Sequence, residues 1–388
     1  MMHLLERIAV AFEAAGVPVL ALKGAALNLT VYPGPEDRPM DDLDLLVRPE
    51  MAGQAIQVLE SVGCRPGEPL VREDFFPRFH YEREFRTGII HPVKIDLHVR
   101  PFRPLRYSRT VPPDALWSRA KAVACGRARI LIPGPADMLI HLAAHGAIHG
   151  HARRMWLEDV QRWIRVHAEK LDWDDIVRTA VAWGLALPLR SGLERVEREF
   201  GSICPDQALG RLRRMNPGWR ERLALRQAPR DATHPVAHVV ADSLCTPGIG
   251  FVLSYLAAMA FPGRAHMAEW YGRRHFGWLL CAHGLRLLRP VLGRFPNFWK
   301  RCTRVECRAG AQGPGVFATR EFRSGQVIVK HFGLTGKLRS LSHSCRPNAR
   351  LDGLVLRAVR NIEASQEITI DYGPGACTCR ERSQHGHG

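Results

Sequence analysis

Hydrophobic positions in the first hundred residues change period several times, and each change reads as a new element. "MMHLLERIAVAFEAAG" spaces its apolar residues for one face of a helix and stops at Gly16. "VPVLAL" reads as a short strand, and "KGAALNLTVY" as a helix that restarts behind Gly24. "LDLLV" predicts a buried strand, "MAGQAIQVLESVG" a helix with a glycine stop, and "GIIHPVKIDLHV" a strand pair or one long strand. This alternation predicts an α/β core over 1–110. From 111 to 295 nearly every periodic segment is helical, including "PADMLIHLAAHGAIHG", "RMWLEDVQRWIRVHAEK" and "WDDIVRTAVAWGL". "RFPNFWKRCTRVECRAGAQGPG" then breaks the pattern with Pro and Gly. Beyond it, "VFATREF", "QVIVKHF", "GLVLRAV" and "EITIDYG" alternate with period two, and Arg323-Ser324-Gly325 supplies a turn signal. The expected architecture is multidomain α/β: an α/β core, an all-helical middle region, and a small β-rich domain over 301–388.

One polar intrusion stands out in this pattern. "RPMDDLDLLV" sets Asp41, Asp42 and Asp44 at the mouth of a very apolar run. An ionised group away from water needs a partner or neutralisation, so the strand end either spills its charge into solvent or holds a cation. Period two puts Asp42 and Asp44 on one face of the strand. Asp96, in "VKIDLHV", ends a second apolar strand pattern that could lie beside the first. Upstream, Lys23-Gly24-Ala25 falls where a strand meets a helix, and glycine there lets a phosphate approach helix N-terminal N–H groups. Hard Mg²⁺ favours carboxylate and phosphate oxygens. Three convergent acids with a glycine turn suit metal-assisted nucleotidyl transfer, in which two cations about 3.5–4 Å apart serve the attacking and leaving oxygens.

Composition changes the picture in three ways. A chain of 388 residues, 46% hydrophobic and 24% charged, is globular and long enough for two or three cores. The formal net charge of +17 favours anionic partners, but the arginines are scattered. No compact basic run with interleaved aromatics appears, so nucleic acid is only weakly supported as a partner. Glu6 and Glu13 inside the first helical pattern argue against a signal peptide, and "FVLSYLAAMAF" (251–261) is too short to span a bilayer. A cytoplasmic protein without a membrane partner is expected, and its ten Cys read as thiols or metal ligands before disulfides.

The segments "LKGAALNLTVYPGPEDRPMDDLDLLV", "KIDLHV", "HLAAHGAIHG", "MWLEDVQRWI" and "AFPGRAHMAEWYG" resemble the uncharacterised bacterial nucleotidyltransferases of the DNA polymerase β-like superfamily. The resemblance extends over about 1–293 and makes 111–295 the helical companion of the core. It implies that Asp42 and Asp44 bind Mg²⁺ with a nucleoside triphosphate, and that Asp96 completes the metal site or assists deprotonation. Gly24 would face the phosphates, with Lys23 and Arg38 as further phosphate contacts. Ala25 stands where the superfamily often has Ser. The acceptor of the nucleoside monophosphate, whether protein, peptide or small molecule, is not implied. His141, His145 and His149 share one helical face, and packing accounts for them better than zinc does. His98, two residues after Asp96, is expected to orient a metal-binding acid from behind.

A second resemblance covers about 301–388. "SHSCRPN", then "EITIDYG", with "GPGVFATREFRSGQVI" upstream, is similar to the SET domain of protein lysine methyltransferases. It implies S-adenosylmethionine as cofactor, with Gly313 and Gly315 near its methionine part and Arg339, Ser342 and His343 approaching it. Tyr372 would be the active-site phenol, orienting a neutral lysine amine of a protein or peptide for in-line methyl transfer. "ACTCRERSQHGHG" looks like a shortened post-SET element in which Cys345, Cys377, Cys379 and His385 would bind Zn²⁺. Ser342 replaces the usual Asn, and Ser340 the usual aromatic. Only "KHFGLTGKLRS" joins the first strands to the His-Ser-Cys segment, so the insert that helps form the peptide groove is almost absent.

A fusion of two transferases is therefore the leading expectation. In the alternatives, the first domain is a silent scaffold for an active SET module, or both modules bind ligands without turnover.

Overall fold

The computed structural model describes residues 1–67, 75–87, 93–228, 235–261, 263, 305–310, 313–329, 341–352 and 355–371. The chain divides into two compact units, one built from residues up to Met259 and the other chiefly from Ala260 onwards.

The chain begins with helix α1 (Met2–Ala14), strand β1 (Leu20–Ala21), helix α2 (Lys23–Thr30), strand β2 (Asp42–Leu46) and helix α3 (Ala52–Ser61). Strand β3 (Arg65–Pro66), helix α4 (Phe75–Phe79), strands β4 (Glu82–Thr87) and β5 (Val93–His98), and helix α5 (Leu105–Thr110) follow. A hairpin of β6 (Lys121–Cys125) and β7 (Ala128–Ile132) completes a seven-stranded sheet in the order β3-β4-β5-β2-β1-β7-β6. α1 buries Leu5, Ile8, Ala9 and Phe12, the three-and-four spacing that its sequence shows, and packs on α3 and β7.

β2 lies near the middle of the sheet, parallel to β5 and antiparallel to β1. That position explains the unbroken burial of Leu43, Leu45, Leu46 and Val47. The "VPVLAL" strand contributes only Leu20–Ala21 to the ladder, because the chain turns into α2 directly after Leu22. In "GIIHPVKIDLHV" the described part, Val93–His98, is a strand whose antiparallel partner is the upstream β4; residues 88–92 lie outside the described residues. β4 has no sequence signal of its own, since only Phe85 of its six residues is buried. The β6–β7 hairpin falls in the stretch read as helical, so the sheet continues past residue 110.

The helices after β7 are α6 (Pro135–Ile148), α7 (Arg154–His167), α8 (Trp173–Ala182), α9 (Ala186–Phe200), α10 (Asp206–Arg214), α11 (Trp219–Gln227), α12 (Pro235–Cys245) and α13 (Ile249–Ala260). α6 is buried on nearly every side, with α7, α8 and α9 packed against it. The Trp163 indole N–H donates to the Pro135 carbonyl at 2.9 Å and ties α7 to the first turn of α6. No helix among the described residues is long and apolar enough to cross a membrane.

The second unit is strand-rich, as its period-two texture predicts. β8 (Val305–Gly310) and β9 (Gly313–Ala318) form an antiparallel hairpin. β10 (Val327–Val329), β11 (Ser342–His343), β12 (Ala349–Asp352), β13 (Val355–Ala358) and β14 (Thr369–Ile370) complete it. They form a three-stranded sheet in the order β10-β13-β12 and a parallel pair β11–β14. Val316, Phe322, Ile328, Leu356, Ile362 and Ile368 centre its core.

Candidate functional site

Strand register assembles the acidic cluster. In the parallel pair β2–β5, Asp44 stands opposite Asp96 and Asp42 opposite Lys94, so all four lie on one face. They line a cavity of about 280 Å³, together with Lys23, Gly24, Arg38, Tyr81, Glu82 and His98. That volume is near the lower end for small-molecule clefts, roughly 300 Å³.

Asp44 is 4% exposed, and its Oδ1 accepts from Lys23 Nζ at 2.7 Å and lies 2.9 Å from His98 Nε2. Burial opposes its ionisation, but the Lys23 ammonium and His98 overcome this and hold the carboxyl well below its usual range. Asp96 is as deeply buried and has a different fate. Its Oδ2 accepts from Lys94 Nζ at 2.6 Å, while Oδ1 has no hydrogen-bond partner. Burial, then the nearby Glu82 charge, push its pKa up to about 6 against the pull of His98 and Lys94. Asp42 is more open, lies 3.7 Å from Lys94 Nζ, and is shifted upward by burial and by Asp44. Lys23 adopts a φ of +43°, a costly conformation for a residue with a side chain, at the turn from β1 into α2.

Gly24 and Arg38 explain each other. A Cβ at Gly24 would overlap Arg38 Nη1, so the glycine leaves room for the guanidinium. Arg38 is 5% exposed and donates to Asp159 through Nε (3.1 Å) and Nη2 (2.8 Å), in a two-point pair from α7. Tyr32 also donates its hydroxyl to Asp159, at 2.8 Å. The expected phosphate contact is thus first a buried ion pair, and its Nη1 packs against Gly24 and donates to the Pro39 carbonyl at 3.3 Å.

A divalent cation can be tested against this donor set. Among the described residues no three His, Cys, Asp or Glu side chains are gathered around a single point. The chemistry still suits a hard cation: three carboxylates line one cavity, one buried oxygen is unpartnered, and two lysines supply the counter-charge.

In the second unit, the parallel pairing of β11 with β14 brings "SHSC" beside "EITID". The Ser342 hydroxyl donates to Glu367, and His343 lies 3.8 Å from Asp371 and 3.4 Å from the Cys345 sulfur. Asn348 is buried and donates to the Glu367 carbonyl at 2.7 Å, while accepting from Thr369 N–H at 2.8 Å. A Cβ at Gly315 would overlap the Glu367 carboxylate, so this glycine accommodates a protein side chain. Gly313 falls in β9. Arg339, Tyr372, Cys377, Cys379 and His385 lie outside the described residues.

A family model described as "Uncharacterised nucleotidyltransferase" matches residues 1–201, half of the chain. The chain belongs to this uncharacterised nucleotidyltransferase family. A SET-domain model matches residues 329–373. No curated protein matches the chain. Among solved structures, the crystal structure of ANT(2")-Ia in complex with adenylyl-2"-tobramycin is 14% identical, with a TM-score of 0.34, covering 47% of this chain and 96% of that one. A solution structure of the antibiotic-resistance factor ANT(2'')-Ia is 13% identical, with a TM-score of 0.33, covering 51% and 95%. An antigenic nucleotidyltransferase-like protein from Paracoccidioides brasiliensis is 12% identical, with a TM-score of 0.35, covering 54% and 91%.

In the nucleotidyltransferase unit, Asp42, Asp44, Asp96, Lys23, Gly24 and Arg38 all reach the same cavity. Lys94, Glu82, Tyr81 and Asp159 carried no role in the sequence. Lys94 was legible, as it shares a strand face with Asp96, whereas Glu82 comes from a strand with no hydrophobic signal. His98 orients an acid as expected, but that acid is Asp44 on the neighbouring strand. His141 packs on Phe102, and burial takes its pKa down to about 3.

Proposed function

We propose that the first unit transfers a nucleoside monophosphate from a nucleoside triphosphate to an acceptor, with Asp42, Asp44 and Asp96 holding Mg²⁺. One observation carries this reading: the β2–β5 register sets Asp44 beside Asp96, with Asp42 one step along the same face of the cavity. Bound Mg²⁺ would neutralise phosphate charge and favour the attacking oxygen. The chain's own residues supply the rest. Lys23 and Arg38 flank Gly24 and would draw the phosphates to the strand-to-helix turn. Lys94 balances Asp42 and Asp96. Asp96, whose buried Oδ1 has no hydrogen-bond partner, would complete the metal site.

Calorimetric titration of each nucleoside triphosphate with Mg²⁺ into the wild type and Asp44→Ala tests this. Binding that disappears in the variant is the expected result. A folded wild type that binds none of them sinks the proposal and leaves the aspartates as a charged turn.

For the SET domain we propose S-adenosylmethionine-dependent methylation of a lysine in a protein or peptide. The β11–β14 pairing supports it, by joining the Ser342–His343 segment to the strand that leads to Tyr372. Gly313, Gly315 and Arg339 would complete the cofactor site, and Cys345, Cys377, Cys379 and His385 would hold Zn²⁺. Cys345 is half-buried, with its sulfur 3.4 Å from His343 Nε2. Cofactor binding retained and methyl transfer lost in Tyr372→Phe is the expected outcome. Methylation undiminished in that variant would exclude the phenol.

A further inference from the structure

One wall of the cavity is aromatic, and the phosphate chemistry proposed above makes no use of it. His145 comes from α6, His149 caps the C-terminal end of that helix and Trp156 comes from α7, and all three line the cavity with Ile148 and Met155. Their rings form one cluster. His145 and His149 have centroids 4.4 Å apart, Trp156 meets His145 edge-on at 4.9 Å, and Trp156 lies 5.6 Å from His149. The Arg153 guanidinium lies over the Trp156 ring at 5.6 Å and donates to Asp41 at 2.6 Å.

The wall presents faces suited to a flat π system. Burial, then the Lys23 ammonium, keep the His145 imidazole neutral, so it offers a ring face and a donor–acceptor edge without charge. The rings line the same cavity as Lys23, Gly24 and the three aspartates, so a flat ring joined to a triphosphate can lie on the wall while its phosphates reach the strand-to-helix turn.

We propose that His145, His149 and Trp156 form the nucleobase subsite, with the base stacking on Trp156 and its triphosphate running toward Lys23 and the aspartates. This rests on the nucleotidyltransferase reading. Base stacking is tolerant of base identity and gains its strength from overlap, so a wall of this kind binds the base without demanding one particular edge.

The test compares nucleoside triphosphates with inorganic tripolyphosphate, both with Mg²⁺, by calorimetry on the full chain. The proteins are the wild type, Trp156→Ala, Trp156→Phe and Asp44→Ala. Trp156→Ala should weaken nucleoside triphosphate binding roughly 5- to 100-fold, the equivalent of one lost base stack, and leave tripolyphosphate unchanged. Trp156→Phe should recover most of the loss, and Asp44→Ala should lose both ligands. Equal nucleotide affinity in Trp156→Ala and wild type overturns the subsite. So does an equal loss of both ligands in Trp156→Ala, which would make Trp156 a prop of the cavity. A wild type that binds tripolyphosphate as tightly as any nucleotide keeps the phosphate site and overturns the subsite. A wild type that binds neither overturns both.

Discussion

His98 reaches across the sheet to Asp44, at 2.9 Å, and makes no hydrogen bond to Asp96, two residues before it on the same strand. Parallel pairing sets Leu46 opposite His98, so the imidazole leans along the face toward the acid one step away on β2. Asp44 thereby gains two donors, Lys23 and His98, and Asp96 keeps a bare oxygen. Two carboxylates side by side are given opposite ionisation tendencies by their neighbours.

His98→Ala removes one donor and leaves Lys23 alone with Asp44. Outer partners of this kind are typically worth 10- to 100-fold in metal affinity. We expect Mg²⁺-nucleotide affinity to fall by about 10-fold, and His98→Gln to restore part of it through an amide donor. Titration calorimetry of the three proteins measures this, and an unchanged affinity in His98→Ala would show that Lys23 suffices.

Asp96 should titrate near pH 6, and its neighbours fix the direction of each change. Glu82 raises its pKa, so Glu82→Gln lowers the midpoint; Lys94 lowers it, so Lys94→Met raises it. Because the folded pKa exceeds the unfolded one, the native state holds more protons between about pH 4 and 6, and this group's stability contribution falls as pH rises through that window. Asp44 behaves oppositely: its contribution is present above about pH 4 and is lost as pH falls through its depressed folded pKa. Carboxyl-labelled NMR titration of wild type and both variants follows the Asp96 midpoint directly.

Gly24→Ala forces a methyl into the Arg38 guanidinium, which Asp159 holds from the other side. Overpacking of this kind costs about 1–3 kcal/mol. Asp159→Ala alone strands a buried arginine, at about 3–5 kcal/mol. In the double variant the freed guanidinium can yield, so the combined cost should be less than the sum. Denaturant unfolding of the four proteins closes the cycle, and strict additivity would mean that the arginine does not confine the glycine.

Asn348 joins the two SET motif segments through its bonds to the Glu367 carbonyl and the Thr369 amide. Asn348→Ala leaves both backbone groups without that partner, a loss of about 1–3 kcal/mol. Hydrogen exchange should accelerate at Thr369 by roughly 10-fold or more, given 1.4 kcal/mol per tenfold. Exchange in the first unit should stay unchanged; unaltered protection at Thr369 would show that the β11–β14 pairing stands without Asn348.

Much of this site was legible along the chain, for a local reason. Period two puts Asp42 with Asp44 and Asp96 with His98 on common strand faces whatever the strands pair with, and the apolar flanks show that those strands are buried. The helical middle and the strand-rich end were readable in the same way, from period alone. The hairpin β6–β7 escaped because its strands are five residues each: β6 buries only Cys125, and the alternation of Ala128, Ile130 and Ile132 in β7 spans too few positions to separate period two from helical spacing. Pairing partners were beyond sequence, because register is settled by contacts between distant segments. Only the folded sheet set Asp44 beside Asp96, brought Glu82 against His98, and gave His98 to Asp44. The tertiary structure alone also turned Arg38 toward Asp159, 121 residues away, and so gave Gly24 a packing reason that the turn by itself did not supply.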